Sequence, residues 1–198
     1  MVKRLDVETR KKEILEAAMK VFLEKGFSKS TMEDIISKTT LSKGGVYHYY
    51  SNIHEIIVDL FLEGNRYRIN KVENYIKEND ISKENFNNVD FVADLLTEKI
   101  IDNNKYMPIY AMFLSEIKFN KKLEEIFNEI MNKSRQELFD FTKLDFFKEK
   151  NEENFIFITN ILNTFIIGKN LLKIDDNFIK NKEIIKQMLK TALKFSDK

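Results

Sequence analysis

The sequence predicts an all-α protein, with a three-helix N-terminal unit followed by a larger C-terminal helical bundle. Apolar residues recur three, four, seven and eight positions apart in several segments, as they do along one face of an α-helix. One proline and five glycines in 198 residues provide few of the turns that strands need. Hydrophobic residues make up 43% of the chain and charged residues 33%, which is typical of a globular protein with a buried core.

The composition disfavours an enzyme and a metal site. The chain has no cysteine, which excludes disulfides, thiolate metal ligands and cysteine nucleophiles. Its two histidines, His48 and His54, both lie near the N-terminal unit, and there is no glycine loop of the phosphate-binding type. We therefore expect no catalytic residue, no metal ligand and no cofactor.

A membrane location is also not expected. The most apolar run, residues 155–168, contains Thr159, Asn160, Asn163 and Thr164. We expect it to be too short and too polar to span a bilayer, which takes about 20 apolar residues. Residues 1–6 are polar and lead into a charged segment, unlike a signal peptide. The sequence therefore predicts no contact with a membrane and a cytoplasmic protein.

The first predicted helix covers residues 8–25, where an apolar stripe is formed by Ile14, Ala18, Val21 and Phe22. Gly26 favours the left-handed conformation that ends many helices, and Phe27 behind it can pack back on the last turn. The second helix is predicted over residues 32 to about 39. Ser30 or Thr31 can cap it, and an acidic residue three positions later can complete a capping box.

The third helix is predicted to follow a short link, with Ser42 as its cap. It opens with Gly44 and Gly45, although each glycine costs a helix about 1 kcal/mol relative to alanine. We interpret the missing Cβ atoms as room for this helix to approach another surface closely. Val46 and Tyr50 are expected to face the core.

Two helices joined by a turn of three to four residues form a helix-turn-helix unit, whose second helix enters the DNA major groove. The side chains available for base contacts are Lys43, Tyr47, His48 and Tyr49, which combine a cation with aromatic hydrogen-bonding groups. Residues 1–50 hold ten Lys and Arg against seven Asp and Glu, whereas the rest of the chain holds 23 against 25. This weak basic bias favours a nucleic-acid partner for the N-terminal unit.

The stretch from Asp34 to Tyr50 resembles the DNA-binding motif of the tetracycline-repressor (TetR) family. Ser42-Lys43-Gly44 precedes Tyr47-His48-Tyr49 at the family's spacing, and the first helix ends in the similar run Glu24-Lys25-Gly26-Phe27. The resemblance covers about residues 8–60. It implies a symmetric dimer with one recognition helix per subunit, a C-terminal domain that binds a small molecule, and release of operator DNA when that molecule binds.

The resemblance also implies roles for single residues. Thr31 matches a phosphate contact, Lys43 and Gly44 match positions at base edges, and the Tyr-His-Tyr run matches base or phosphate contacts. Two residues depart from the family pattern, namely Thr40 at its turn glycine and Ile53 at its phosphate-binding lysine. The predicted DNA-binding residues are therefore Thr31, Ser42, Lys43, Gly44, Gly45, Tyr47, His48 and Tyr49.

A long fourth helix is predicted from Asn52, which can act as its cap with Glu55. We therefore predict a helix-turn-helix DNA-binding domain at residues 1–52 and a ligand-binding and dimerisation domain at residues 53–198. Further helices are predicted at about residues 86–103, 106–118, 121–147, 152–173 and 181–195.

Two sets of apolar residues in the C-terminal bundle are candidate sites. A ligand pocket is predicted from aromatic, leucine and methionine residues, although such residues at helical spacing are more often plain core. These pocket candidates are Phe91, Leu95, Tyr106, Met107, Tyr110, Phe113, Phe127 and Met131. A subunit interface is predicted from two apolar helices that a symmetric dimer would pair into a four-helix contact. These interface candidates are Ile158, Ile161, Leu162, Phe165, Ile185, Met188, Leu189 and Ala192.

Two functions remain open at this point. The first is a sequence-specific DNA-binding transcriptional regulator, expected to be a repressor released from its operator by a small apolar ligand. Its partners would be double-stranded operator DNA, a second copy of the chain and that ligand. The second is a helical adaptor or co-regulator of the same fold that binds another protein and ignores small molecules. Ile53 favours the adaptor, because a phosphate-binding lysine is missing there.

Overall fold

The structure is a computed structural model, and it describes residues 7–78, 88–142 and 152–195. These parts are all α-helical apart from turns and one short 3₁₀ turn, Phe27–Lys29, which confirms the predicted fold class. The helices are α1 (Val7–Lys25), α2 (Met32–Ile36), α3 (Lys43–Tyr47), α4 (Ile53–Glu78), α5 (Val89–Ile101), α6 (Tyr106–Ile117), α7 (Lys121–Thr142), α8 (Glu152–Leu172), α9 (Asp175–Lys180) and α10 (Lys182–Phe195).

Helix α1 ends where the glycine predicts. Gly26 has a φ of 77°, a conformation that costs glycine little because it has no Cβ. Its N–H donates a 2.9 Å hydrogen bond to the Phe22 carbonyl. The buried Phe27 ring then packs edge-on against Phe22, with 5.3 Å between the ring centroids. The predicted end of the first helix is confirmed.

Helix α2 is shorter than predicted. It ends at Ile36, three residues before the predicted end. The Lys38 and Thr39 N–H groups donate instead to carbonyls three residues earlier, and the Thr39 hydroxyl also donates to the Ile36 carbonyl at 3.0 Å. Hydroxyl side chains that bond to nearby backbone compete with helical hydrogen bonds, which explains the early end.

A first apolar cluster joins the N-terminal helices to the bundle. Phe22 of α1 and Val46 of α3 lie in the same cluster as Phe61 of α4 and Phe113 of α6. The Phe61 and Phe113 rings stack with 4.3 Å between centroids. The apolar core therefore continues across residue 52, and a domain boundary at that residue stays a prediction.

A second apolar cluster holds the rest of the bundle together. It brings side chains of α5, α8 and α10 against the C-terminal half of α4, and Ile100 and Ile158 are fully buried in it. The short helix α9 lies just before α10, in a segment where the sequence predicted none. Parts of the predicted helices at 86–103 and 121–147 lie outside the described residues.

Helix α8 is longer than its apolar run suggested. It has 21 residues and is long and apolar enough, by length and composition alone, to cross a membrane. The expectation that this segment is too short and too polar was therefore wrong. The core helix of a globular bundle passes the same test, and α8 has one face buried in the second cluster.

Candidate nucleic-acid interface

Helix α3 is anchored by one face and exposes the other. Val46 is fully buried and Tyr50 nearly so, as the sequence predicted. Lys43, Tyr47 and His48 are exposed on the opposite side. A five-residue helix held in this way presents side chains to a partner without relying on its own helical stability.

The two glycines of α3 have different surroundings. The Ser42 hydroxyl caps the helix by accepting a 3.2 Å hydrogen bond from the Gly45 N–H. A Cβ on Gly45 would lie 3.3 Å from that hydroxyl oxygen and 3.5 Å from Leu41, so this glycine serves packing within the turn. A Cβ on Gly44 would meet nothing within 4 Å. Open space for the approach of a partner exists at Gly44 alone of the two.

Thr31 is the N-cap of α2, in the predicted capping box. Its hydroxyl oxygen accepts from the Asp34 N–H at 3.2 Å, while Asp34 Oδ2 accepts from the Thr31 N–H at 3.0 Å. A hydrogen bond from Lys25, followed by one from Thr31, lowers the pKa of Asp34 below its ordinary value. Thr31 is exposed at the start of α2, so a phosphate can approach it.

Lys43 is paired with an acidic residue of α2. Its ammonium lies 3.1 Å from Glu33 Oε1 and 5.8 Å from the centroid of the Tyr47 ring. The hydrogen bond between them lowers the pKa of Glu33 and raises the pKa of Lys43. Both side chains are more than 60% exposed, so water screens the pair strongly and another anion can replace Glu33 at little cost.

The turn between α2 and α3 is held by a residue that sequence reasoning missed. Glu13 of α1 accepts hydrogen bonds from the Thr40 N–H at 2.6 Å and from the Thr40 hydroxyl at 2.7 Å. The backbone hydrogen bond is the largest cause of a lowered Glu13 pKa. Arg10 in turn donates to Glu13 at 3.1 Å. Among the described non-glycine residues, positive φ is recorded at Lys173 alone, so Thr40 needs no left-handed conformation.

The remaining predicted contacts lie at the end of α3. The His48 and Tyr49 rings meet edge-on with 5.1 Å between centroids. His48 is exposed, whereas Tyr49 is half-buried and packs against the first cluster. Ile53, at the start of α4, also packs on that cluster. Its apolar side chain therefore has a structural role here.

This arrangement of α1 to α4 matches a known family model. The model is that of the bacterial regulatory proteins of the tetR family, and it matches residues 14–60. Residues 14–60 therefore form a DNA-binding domain of the tetR type. The match begins inside α1 and ends inside α4, so it contains the turn and the exposed face of α3. The family is one of transcriptional regulators and not of enzymes.

Curated proteins that this chain is similar to come from Bacillus subtilis (strain 168). The chain is 47% identical over 49 residues to the uncharacterized HTH-type transcriptional regulator YfiR, which is 25% of this chain and 24% of that protein. It is 32% identical over 72 residues to a fatty acid metabolism regulator protein, which is 36% of this chain and 37% of that protein. The matches therefore span less than half the length of either relative.

Solved structures resemble the whole fold. Salmonella enterica GusR matches with a TM-score of 0.68 over 96% of this chain and 98% of that one, at 16% identity. The fatty acid degradation regulator FadR from Bacillus halodurans matches with a TM-score of 0.64 over 95% and 97%, also at 16% identity. At this identity the likeness concerns the fold alone, and it extends the TetR-like architecture to the C-terminal bundle.

The structure separates the predicted pocket residues. Leu95 and Met131 line a cavity of about 300 Å³ between α4, α5, α7 and α8. Tyr106, Met107 and Tyr110 line a smaller cavity of about 40 Å³ beside α4, and burial raises the pKa of Tyr110 to about 12. The other candidates pack against aromatic neighbours, as plain core residues do: Phe113 and Phe127 against Phe61, and Phe91 against Tyr75.

The predicted interface residues are also divided. Four of them are buried inside the protomer, where they form part of the second cluster: Ile158, Leu162, Ile185 and Leu189. Ile161, Phe165 and Ala192 are partly buried against the same cluster, whereas Met188 is 52% exposed. Besides Met188, the exposed apolar side chains of α8 and α10 are Ile156, Phe157, Leu171, Leu172 and Ile184.

Proposed function

We propose that this protein is a sequence-specific DNA-binding transcriptional regulator, most simply a repressor. The observation that carries the proposal is the exposed face of α3. Lys43, Tyr47 and His48 project from a helix whose other face is locked into the core. A short helix with a cation at its exposed N-terminal end fits the major groove and can read base edges there.

The acidic partner of Lys43 supports this proposal. Glu33 and Lys43 form an exposed ion pair in the free protein, and an exposed pair of this kind contributes little to stability. A guanine base offers acceptor atoms at its major-groove edge that can take the place of Glu33. The ion pair holds the Lys43 ammonium close to α3 before DNA binds. The ammonium can then exchange Glu33 for a base acceptor at a small cost in free energy.

A second copy of the chain and a small ligand complete the proposed mechanism. We propose a homodimer through α8 and α10, because both helices leave apolar side chains exposed and a twofold interface uses each patch twice. A small apolar or amphipathic ligand, bound between α4, α5, α7 and α8, would shift α4 and so change the distance between the two recognition helices. The adaptor remains the alternative, favoured by the apolar Ile53.

A quantitative gel shift on DNA flanking the protein's own gene tests DNA binding. Lys43→Ala should weaken binding to the specific fragment by roughly 5- to 150-fold and relax the preference at one base pair per half-site. Tyr49→Phe and Thr31→Ala should weaken binding to specific and random DNA equally, because phosphate contacts carry no sequence information.

The outcomes distinguish the regulator from the adaptor. If Lys43→Ala changes binding to specific and random DNA by the same factor, α3 does not read the sequence. If the unmodified protein binds no DNA fragment of that region but does bind another protein, the adaptor function is correct. Thr31→Ala also removes a helix cap, so its thermal stability is measured alongside.

A further inference from the structure

The cavity between α4, α5, α7 and α8 is large enough for a ligand. Its volume of about 300 Å³ lies at the lower end of the range for small-molecule sites. The surface of the wall is mainly apolar, and its aliphatic residues include Ile69, Val72, Leu95, Leu138, Ile158 and Leu162. Such a wall favours the body of a flexible aliphatic molecule over a flat polar one.

Two cations line this cavity without an acidic partner. The Arg68 guanidinium donates a 2.7 Å hydrogen bond to Asn65 Oδ1, a neutral acceptor, and the Lys99 ammonium lies 5.5 Å from the centroid of the Tyr110 ring. Within the described ranges, no carboxylate forms an ion pair with either side chain. Burial lowers the pKa of both groups, and the neighbouring Arg68 charge lowers the pKa of Lys99 further.

The acidic residues of the cavity wall are already neutralised by other lysines. The pairs are Asp94 with Lys186, Glu98 with Lys182, and Asp102 with Lys71. Among the described residues, Arg68 and Lys99 therefore remain as two cations without an acidic partner beside an apolar cavity. Arg68 and Lys99 are partly buried, and charges removed from water without an acidic partner destabilise a protein, so their presence here needs a reason other than the stability of the free fold.

The two cations lie at one end of the cavity. Both also line the smaller cavity near Gly64 and Tyr106. Because α4 runs from the N-terminal unit outward, Gly64 precedes the stretch of α4 that lines the large cavity. Arg68 and Lys99 thus mark the end nearer the DNA-binding helices, and the aliphatic wall extends away from them.

We infer that this cavity binds an amphipathic carboxylate, with its acid group between Arg68 and Lys99 and its aliphatic body along α4, α5, α7 and α8. The inference names the ligand class of the function proposed above and rests on it. Arginine binds a carboxylate through two parallel hydrogen bonds, and lysine can take a remaining lone pair. A neutral ligand of the same shape leaves both charges unpaired. At ~30 Å³ for each water-sized volume, the cavity holds roughly ten non-hydrogen atoms, about the size of octanoate.

Calorimetric titration of the full chain, without DNA, tests this site with three probes of equal length. Octanoate should bind, octan-1-ol should bind about tenfold more weakly or worse, and octylamine should not bind. Arg68→Met and Lys99→Met should each lower octanoate affinity about tenfold and reduce the preference for octanoate over octan-1-ol. Lys77→Met, on the same helix but 65% exposed, is the matched control and should leave octanoate affinity unchanged.

A second measurement keeps the test valid if one variant folds poorly. Lys99→Met removes a partly buried cation that has no acidic partner among the described residues, so the ligand-free variant should have a higher melting temperature than the unmodified protein while it loses octanoate binding. Equal affinities for octanoate and octan-1-ol, or full octanoate affinity in both methionine variants, would overturn the inference. If the protein binds octanoate but no DNA, the ligand site is supported and the proposed regulatory function is overturned.

Discussion

The Tyr50 hydroxyl donates a 2.8 Å hydrogen bond to Asp59 Oδ2, and this bond joins the segment that follows α3 to α4. Lys11 of α1 adds to the same contact, because its ammonium lies 3.6 Å from Asp59 and 5.3 Å from the centroid of the Tyr50 ring. Burial and the bond to Asp59 raise the pKa of Tyr50 well above its ordinary value, so the hydroxyl stays protonated as the donor. Helix α4 also lines the cavity of about 300 Å³, so the same helix contacts that cavity and, through Asp59, the segment after α3.

Tyr50→Phe should lower the free energy of unfolding by about 1 to 2 kcal/mol, because Asp59 loses a hydrogen-bond donor. Urea denaturation monitored by circular dichroism measures this change. Tyr67→Phe is the control, since that tyrosine lies on the exposed part of α4 with 40% of its surface accessible. An equal loss in both variants would show that the Tyr50 hydroxyl contributes nothing specific.

Glu33→Gln should strengthen DNA binding, because it removes both the competitor for Lys43 and a negative charge beside the phosphates. We expect a gain of about two- to fivefold, the size that exposed ion pairs support. Glu24→Gln, which breaks the exposed pair between Glu24 and Lys38, is a control for the change in net charge. A larger gain for Glu24→Gln than for Glu33→Gln on the specific fragment would contradict the assigned role of Lys43.

Ile53→Lys should strengthen binding to all DNA sequences. The aliphatic stem of a lysine can keep the packing that Ile53 makes on the first cluster, while its ammonium reaches water and the DNA backbone. The slope of log K against log salt should become steeper by about 0.9 for each subunit that makes the contact. Filter-binding titrations at several salt concentrations measure this slope. An unchanged slope would show that the start of α4 lies away from the phosphates.

Protonation of Glu13 should lower the free energy of unfolding in acid. Because hydrogen bonds from Thr40 hold the folded-state pKa of Glu13 below its ordinary value of 4.5, its contribution is present above that value. The contribution is lost as pH falls through the lowered pKa. The unfolding free energy of Glu13→Gln should therefore fall less steeply than that of the unmodified protein between about pH 5 and about pH 3. Glu16→Gln, on the exposed side of α1, is the matched control and should follow the unmodified protein.

A charge on the exposed apolar face of α8 or α10 should separate the proposed dimer. Phe157→Asp and Met188→Asp place a carboxylate at side chains that are 58% and 52% exposed, so each protomer should stay folded. Sedimentation velocity at micromolar concentration should then show monomers. Phe119→Asp, at a 77% exposed position between α6 and α7, should remain dimeric. Leu189→Asp tests folding rather than assembly, since Leu189 is 1% exposed. Dimers in both Phe157→Asp and Met188→Asp would exclude these helices as the interface.

The sequence by itself determined the helices and their starting points in the N-terminal unit. The Thr31 and Ser42 caps and the Gly26 stop depend on hydrogen bonds within four residues, a distance at which sequence spacing fixes geometry. The burial of Val46 and Tyr50 followed from helical periodicity in the same way. The TetR-type motif was recognisable for this reason.

Only the tertiary structure decided which distant side chains meet. The contact of Glu13 with Thr40 spans 27 positions, and no periodicity relates the two. Packing also placed Ile158 and Leu189 inside the protomer, because an apolar helix must be covered but its sequence does not say by what. The tertiary structure also showed that Arg68 and Lys99 line a cavity and have no acidic partner among the described residues. From the sequence alone, a cation on a helical face is expected to be solvated.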